Sequence, residues 1–244
     1  MEDGEYRLMA AVENRHWWYK ACRKLLFRML ASELEGRDTS GYRILDAGCG
    51  VGATGGWLAR HGRVWALDTS KQALNLYAEA YPEATLVEGS VESVPLDDSS
   101  IDLLLCVTVL YHANVEDPRK AISEFVRVLR PGGLMCLVEP GGRRMKRGHD
   151  HVTHGARRFD LDELRNLVGG AGVVIERSTG AFSFLLLPAW IRSKLPDTRR
   201  SSDLSNNVTG LFGLLGSLAS IERRILRRRS LPVGLSVVVV GRKP

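Results

Sequence analysis

A strand-like apolar segment that runs into three closely spaced glycines constrains the fold of this chain more than any other feature. The segment extends from Ile44 to Gly55, and glycines stand at positions 48, 50 and 52. Glycine lets the backbone turn tightly and lets a ligand approach it closely. The helix that follows would point its free N–H groups at that ligand. We therefore expect a ligand-binding loop between a first strand and the next helix.

Apolar segments of strand length alternate with helical segments along most of the chain. Strands are predicted at 43–46, 64–68, 85–88, 101–107, 134–139, 173–176 and 233–240. Helices are predicted at 5–34, from the glycine loop to about 60, and at 70–81, 117–130 and 160–171. This alternation is typical of an α/β fold with a mostly parallel sheet and helices on both faces. Ligands of such sheets bind outside the carboxyl ends of the strands.

Charge is divided unevenly between two parts of the chain. Residues 1–140 contain 15 Lys and Arg and 20 Asp and Glu, whereas residues 141–244 contain 19 and 8. The basic second part predicts an anionic partner: a membrane surface, a phosphorylated substrate or nucleic acid. The four cysteines lack Cys-x-x-Cys spacing, which predicts reduced thiols, and the acidic N-terminus lacks a secretion-signal pattern. We therefore expect a cytoplasmic protein.

The chain divides into four predicted regions. Residues 1–40 are expected to form an N-terminal helical cap, residues 41–180 the cofactor-binding core, and residues 232–244 the core's final strand. Residues 181–231 are a predicted helical insertion, in which apolar residues recur at helical spacing before five arginines within 223–229. That composition is typical of a lid or of an interfacial helix, and a packed helix with a solvated end is an equal alternative. Peripheral contact of 181–231 with the inner membrane surface is therefore one expectation.

Acidic residues near two strand ends indicate which nucleoside cofactor the loop holds. Residues 50–55 satisfy the dinucleotide pattern Gly-x-Gly-x-x-Gly. However, Asp46 stands just before the loop, where a carboxylate would repel a pyrophosphate and would suit an ammonium group and a positive sulfur. Asp68 ends the second predicted strand, 20 residues after Gly48. An acid at that place can accept hydrogen bonds from both ribose hydroxyls.

The stretch from Ile44 to Glu139 resembles the Rossmann-like, class I S-adenosylmethionine-dependent methyltransferases. The landmarks, in matching order, are the glycine loop and residues 66–68, 88–96, 100–103, 109–112 and 124–133. The resemblance implies S-adenosylmethionine as cofactor and a seven-stranded sheet with an antiparallel last strand. It places these residues around the cofactor: Asp46, Ala47, Gly48 and Gly50 at the methionine part, Asp68 and Thr69 at the ribose, Ser90 and Val91 at the adenine, and Val107 and Thr108 after strand four.

Histidines and aromatic residues are the candidates for the acceptor side. His112 follows the fourth predicted strand and His154 the fifth, and histidine is the usual general base near neutral pH. A structural hydrogen bond for His112 and a solvated loop for His154 are the alternatives. His149, His151 and His154 have metal-like spacing, but no cysteine or carboxylate set completes it, so no metal is expected. The substrate candidates are Trp17, Trp18, Tyr19 and Tyr111.

Residues 16–19 read His-Trp-Trp-Tyr, which is unusual. Adjacent tryptophans on a helix point about 100° apart, so one can pack on the sheet while the other covers the pocket; plain core packing is the alternative. The motif resembles a methyltransferase subgroup often associated with glycan or lipid-linked sugar pathways. Two positions depart from many relatives, which carry Asp where this chain has Ser90 and Glu where it has Tyr111.

The leading hypothesis is O-methylation of a hydroxylated small molecule that is sugar- or lipid-linked. Methylation of nitrogen or carbon in a secondary metabolite is the first alternative. The basic second part leaves an RNA-binding methyltransferase or RNA-binding protein open, although an aromatic-interleaved basic platform is lacking. Asp46 disfavours an NAD-dependent oxidoreductase. No DNA partner is expected, and the oligomeric state stays open.

Overall fold

The computed structural model describes residues 3–13, 16–142, 156–194 and 209–244. Its strands are β1 (Tyr42–Ala47), β2 (Gly62–Asp68), β3 (Thr85–Glu88), β4 (Ile101–Val107), β5 (Leu129–Pro140), β6 (Val174–Ala181) and β7 (Ser236–Arg242). Its helices are α1 (Asp3–Val12), α2 (Trp17–Leu34), α3 (Gly55–Leu58), α4 (Lys71–Ala80), α5 (Pro118–Val128), α6 (Leu161–Gly170), α7 (Leu186–Lys194) and α8 (Thr209–Ile225).

The strands form one seven-stranded sheet in the order β3-β2-β1-β4-β5-β7-β6. The first five pair in parallel, and β7 runs antiparallel to both β5 and β6. The fold class and the antiparallel last strand are therefore confirmed. The chain moves outward from β1 to β3 and then returns to β4 on the other side of β1. The carboxyl ends of β1 and β4 thus flank the topological switch point, where ligands bind in sheets of this kind.

Two apolar layers cover the faces of the sheet. One layer joins Ile44 of β1 to α2, α4 and α8 through buried residues such as Leu30, Tyr77 and Ala219. The other joins Leu45 to α5 and α6. The strict alternation of Ile44 and Leu45 between layers follows from the two-residue period of a strand. Because both faces are covered, β4 is a continuous apolar run, as expected for a central parallel strand.

The N-terminal region contains two helices with the aromatic residues at the start of the second. His16 is the N-cap of α2, and its Nδ1 accepts a hydrogen bond from the Trp18 amide at 3.3 Å. The prediction of one helix over 5–34 with an aromatic interruption was therefore wrong in one respect. The chain forms two helices, and the aromatic residues begin the second one. Six residues of α2 are buried, and they belong to the layer of Ile44.

Several predicted boundaries were wrong, for local reasons. The helix expected to reach 60 is only α3, because Gly55 and Gly56 weaken a helix. The helix expected to end at 130 ends at Val128, and β5 then extends through the predicted turn at 131–133, with a register shift against β4. Strand β6 continues to Ala181, and β7 begins at Ser236 instead of 233.

The described residues also bear on redox state and membrane spanning. All four cysteines have free thiols, and three of them are buried. No helix in the described part of the chain is both long and apolar enough to cross a membrane.

Candidate functional site

The glycine loop turns back toward β2 at the carboxyl edge of the sheet. The amides of Gly48 and Cys49 both donate to the Leu67 carbonyl, at 2.8 and 2.9 Å. Gly48, Gly50 and Gly52 have φ angles of 70°, 53° and 98°. These left-handed conformations are costly for other residues, which explains why the turn needs glycine. The loop is thereby held open between the ends of β1 and β2.

Asp68 fixes this loop from the end of β2. Its Oδ2 accepts from the Gly50 amide at 3.0 Å, and its Oδ1 accepts from the Ser70 amide at 2.9 Å. Burial raises the pKa of Asp68, while these amides oppose the shift. Each carboxylate oxygen can accept more than one hydrogen bond. Asp68 is thus able to receive ribose hydroxyls while it holds the loop, and Thr69, which follows it, is exposed.

Asp46 is buried beneath the loop. Its Oδ2 accepts from the Thr54 hydroxyl at 2.6 Å and from the Tyr77 hydroxyl at 3.2 Å. Burial raises the pKa of Asp46 to about 7. Neither hydroxyl partner was predicted from the sequence. Tyr77 lies on the apolar stripe of α4, so its spacing predicted only a core residue, and nothing in the sequence distinguished Thr54.

The N-terminal segment brings a further carboxyl group to the loop. The Glu13 side chain is 3% exposed. Burial raises its pKa to about 7; the charge of Arg23 opposes the shift, and the charge of Asp46 adds to it. Met9 of α1 lies 3.4 Å from the place where a Cβ on Gly50 would stand. Helix α1 and Glu13 therefore cover the loop, which the sequence did not predict.

The predicted adenine side follows β3. The Gly89 amide donates to the Asp68 carbonyl, which ties this turn to the end of β2. The Ser90 hydroxyl accepts from the Glu92 amide at 3.1 Å. Val91 is buried in the apolar layer of Leu45. An adenine contact at Ser90 and Val91 stays a prediction, to which Val91 would contribute its backbone.

Glu139 organises the loop after β4. This buried carboxylate accepts from the amides of Val109, Leu110 and Tyr111, at 3.1, 2.9 and 3.2 Å. Burial raises the pKa of Glu139 to about 8, although the three amides act in the opposite direction. This role of Glu139 was not predicted from the sequence. The signal was available, because Glu139 closes an apolar strand just as Asp68 does.

The loop that Glu139 holds is next to the glycine loop. A Cβ on Gly48 would lie 2.3 Å from Cγ2 of Val109. Val107 ends β4, and Thr108 has a φ of 55°, which is uncommon for a residue with a β-branched side chain. The Thr108 amide donates to the Val138 carbonyl at 2.7 Å. The predicted cofactor residues from β1 and β4 are thus brought together.

The acceptor candidates Tyr111 and His112 lie on the same loop. Their rings are 4.2 Å apart, and both side chains are half-buried. The Tyr111 carbonyl accepts from the amides of Ala156 and Arg157. His154 and the neighbouring histidines lie outside the described residues. Within the described ranges, no group of three or more His, Cys, Asp and Glu could hold a metal ion.

The aromatic residues at the start of α2 take packing roles. Trp17 and Trp18 both pack against the apolar layer of Ile44, and the Trp18 ring is 4.3 Å from the ring of Phe182. Burial and the charge of Glu13 raise the pKa of Tyr19 to about 12. Core packing therefore accounts for the two tryptophans, and substrate contact by residues 17–19 stays a prediction.

The groups around the glycine loop fit S-adenosylmethionine better than a dinucleotide. Burial raises the pKa values of the Asp46 and Glu13 carboxyl groups to about 7, and a nearby cation would lower both. A pyrophosphate would instead meet like charge. Asp46 and Glu13 suit the ammonium and sulfonium groups, and Asp68 suits the ribose.

Comparison with known proteins agrees with this arrangement. Residues 45–137 match the family described as "Methyltransferase domain". A "Probable S-adenosylmethionine-dependent methyltransferase" of Mycolicibacterium smegmatis is 29% identical over 73% of this chain and 67% of its own length. The ubiquinone/menaquinone biosynthesis C-methyltransferase UbiE of Campylobacter jejuni is 27% identical over 75% and 74%. The chain spans 62% to 67% of the length of the first curated relatives that it matches.

Solved structures share the fold. An S-adenosylmethionine-dependent methyltransferase from Mesorhizobium loti superposes with a TM-score of 0.58 over 95% of this chain and all of its own. The two sequences are 19% identical, so this likeness supports the fold alone.

Proposed function

We propose that residues 45–137, which match the family described as "Methyltransferase domain", form an S-adenosylmethionine-dependent methyltransferase domain that methylates a small-molecule acceptor on a hydroxyl oxygen. The observation that carries the proposal is the contact between two loops. The glycine loop, which suits the cofactor, lies against Val109 of the loop that carries Tyr111 and His112. An acceptor held by the second loop would therefore be adjacent to a cofactor held by the first.

The bound cofactor supplies a methyl group on a positively charged sulfur. The protein's task is to hold the acceptor atom in line with that methyl group, at roughly 3–3.5 Å. Asp68 would bind the ribose, and Asp46 and Glu13 would favour the cationic end. Glu139 keeps the acceptor loop in one conformation through three amide hydrogen bonds.

A hydroxyl acceptor must lose its proton when the new carbon–oxygen bond forms. His112 is the residue that we propose for this role, because it stands just beyond β4 and histidine accepts protons near neutral pH. The bound cofactor would supply a carbon–sulfur bond that breaks as the carbon–oxygen bond forms, and the His112 imidazole would take the hydroxyl proton. The leaving product would be S-adenosylhomocysteine, whose sulfur is uncharged.

Methylation of carbon is the second candidate. The similarity to the UbiE C-methyltransferase over 75% of the chain favours it. The two candidates differ in the proton that a base removes. A hydroxyl acceptor loses its proton as the carbon–oxygen bond forms, whereas a carbon acceptor loses a proton from carbon after the methyl group has been attached.

The acceptor class that we propose is sugar- or lipid-linked. Its support is the His-Trp-Trp-Tyr sequence at 16–19 and its contact with residue 182 of the insertion. The insertion adds apolar surface, which suits an acceptor with a lipid part.

The test is transfer of a trideuterated methyl group from labelled S-adenosylmethionine to metabolites extracted from cells. Mass spectrometry would identify products that gain the label, and NMR would identify the atom that carries it. A label on oxygen supports the first candidate, and a label on carbon supports the second. Labelled protein, labelled RNA or no labelled metabolite would contradict the proposal. A His112→Gln variant should lower kcat and remove the acidic limb of the pH profile if oxygen is the acceptor.

A further inference from the structure

Exposed apolar side chains are concentrated in one range of the chain. Among the described residues, six of the eight large apolar side chains that are exposed belong to residues 187–233. Leu187, Trp190 and Ile191 of α7 are 65%, 51% and 50% exposed. Their spacing of three and four residues puts them on one face of that helix. Ile221 and Ile225 of α8 are also exposed and stand four residues apart.

Arginines occupy the same outward side of α8. Leu226 and Ala219 are buried and define the inward side. At 100° per residue, Arg224 lies nearly opposite them. Ile221 and Ile225 are then on one flank of the outward face. Arg223 lies toward the inward side, and the exposed Arg227, Arg228 and Arg229 follow the end of α8.

These arginines have few acidic partners. Arg224, Arg227, Arg228 and Arg229 are exposed, and none makes a side-chain ion pair with any residue that the structure describes. A cleft of about 680 Å³ between α2 and α8 is lined by four arginines and a single acidic residue: Arg28, Arg177, Arg223, Arg227 and Glu35. The surface is therefore both apolar and strongly positive.

A fixed scaffold presents this surface. The buried Glu222 carboxylate accepts from the amides of Phe182 and Ser183, at 2.6 and 2.7 Å. Arg177 of β6 donates to the Leu226 carbonyl at 2.7 Å. These bonds hold the end of α8 against the sheet and leave its opposite face to solvent.

We propose that the outward faces of α7 and α8 form a docking surface for an anionic lipid bilayer. Apolar side chains beside arginines bind at the boundary between headgroups and acyl chains, where each element supplies part of the free energy. Anionic headgroups complement the positive charge of α8, and the arginine-lined cleft would take up a headgroup phosphate. The surface would bring the acceptor site close to lipid-linked molecules, but docking does not depend on which atom is methylated.

Vesicle flotation of the full chain tests the proposal. The probes are vesicles of phosphatidylcholine alone and vesicles in which part of it is replaced by phosphatidylglycerol. We expect binding to the second kind only, and less binding at high salt because salt screens the attraction. Equal flotation with both kinds, or none with either, overturns the proposal.

Paired variants distinguish docking through this surface from nonspecific adsorption to vesicles. Arg224→Gln with Arg228→Gln should weaken binding about thirtyfold, which corresponds to about 1 kcal/mol for each arginine. Arg119→Gln with Lys120→Gln removes two exposed basic side chains of α5, which covers the opposite face of the sheet, and should leave binding unchanged. Leu187→Ser with Ile191→Ser should weaken binding, whereas Leu86→Ser with Val174→Ser, also exposed, should not.

A protein partner would produce a different result. If Leu187→Ser with Ile191→Ser abolished self-association in light scattering, and no variant changed flotation, the surface would be a protein interface and the proposal would be wrong. All the substituted side chains are exposed, so circular dichroism should show an unchanged fold.

Discussion

Gly48 is the residue with the least room for a side chain in the glycine loop. A Cβ there would meet Val109 at 2.3 Å, and its φ is 70°. We expect Gly48→Ala to lower both the free energy of unfolding and the affinity for S-adenosylhomocysteine, because the loops after β1 and β4 must separate. Gly36 is a matched control, since its φ is 75° and nothing lies within 4 Å. Urea unfolding should show a loss of about 1–2 kcal/mol for Gly36→Ala and a larger loss for Gly48→Ala. Equal losses of unfolding free energy in the two variants would contradict the close approach of Val109 to position 48.

Asp68 should contribute directly to cofactor affinity. In Asp68→Ala, the ribose hydroxyls lose a charged acceptor, and the Gly50 amide loses its partner. The expected loss in S-adenosylhomocysteine binding is about 1.5–3 kcal/mol for each charge-assisted bond, measured by calorimetry. Asp38 is a control, because it is an exposed carboxylate that accepts hydrogen bonds from Ser40 nearby. Unchanged affinity in a folded Asp68→Ala protein would refute the assignment.

Glu139 should make stability depend on pH in a defined direction. Its pKa is raised from 4.5 to about 8 in the folded chain, so the folded chain retains a proton that the unfolded chain loses. Its contribution to stability is fully present below pH 4.5 and is lost as pH rises through 8. Glu139→Gln removes this dependence, so the difference in unfolding free energy between wild type and variant should narrow from pH 5 to pH 9.

Glu124 provides the opposite case for the same measurement. Hydrogen bonding to Arg127 lowers its pKa, so its contribution is lost as pH falls. The difference between wild type and Glu124→Gln should therefore narrow toward acidic pH. If urea unfolding gave Glu139→Gln and Glu124→Gln the same pH trend, the assignment of a raised pKa to the buried Glu139 would be wrong.

Among the elements, α2 and the insertion are joined by a ring contact. Trp18 at the start of α2 lies 4.3 Å from Phe182, which follows β6. A double-mutant cycle with Trp18→Ala and Phe182→Ala should give a coupling of about 0.5–1.5 kcal/mol in urea unfolding. The pair Trp18→Ala and Trp57→Ala is the control and should be additive, because Trp57 stacks on Phe27 instead. Additivity in the first cycle would show that the contact contributes nothing.

The elements that carry a strong local pattern were predictable, and those that depend on long-range contacts were not. The apolar run of β4 and the Asp-Pro start of α5 are local signals, and both elements stand where they were expected. The boundary of β5 was not predictable, because Pro131 and Gly133 signal a turn, whereas pairing with Ile101 starts the strand at Leu129.

The candidate site also contains residues that a local motif predicted and residues whose roles depend on long-range contacts. Gly48, Gly50 and Asp68 belong to one motif, and the structure brings them together through the bond from the Gly50 amide to Asp68. Glu139 and Glu13 act across long separations in the chain. Glu139 had a local signal, because it is the acid near the end of an apolar strand. The amides that it meets, and the charges near Glu13, depend on how β5 and α1 pack.

For the whole molecule, the uneven charge agrees with two separate binding regions of opposite charge. The acidic first 140 residues contain the carboxyl groups that surround the glycine loop, and the basic remainder contains the arginines of α8. Each half thus presents the sign of charge that suits its proposed ligand, a cation in the loop and an anionic surface at the insertion.

The central claim is that the glycine loop binds S-adenosylmethionine and not a dinucleotide. Calorimetric titration of the purified protein with S-adenosylhomocysteine and, separately, with NAD tests it most directly. We expect saturable binding of S-adenosylhomocysteine at one site and no binding of NAD, because the carboxyl groups of Asp46 and Glu13 would repel a pyrophosphate. Saturable binding of NAD, or the absence of S-adenosylhomocysteine binding by the folded protein, would contradict it.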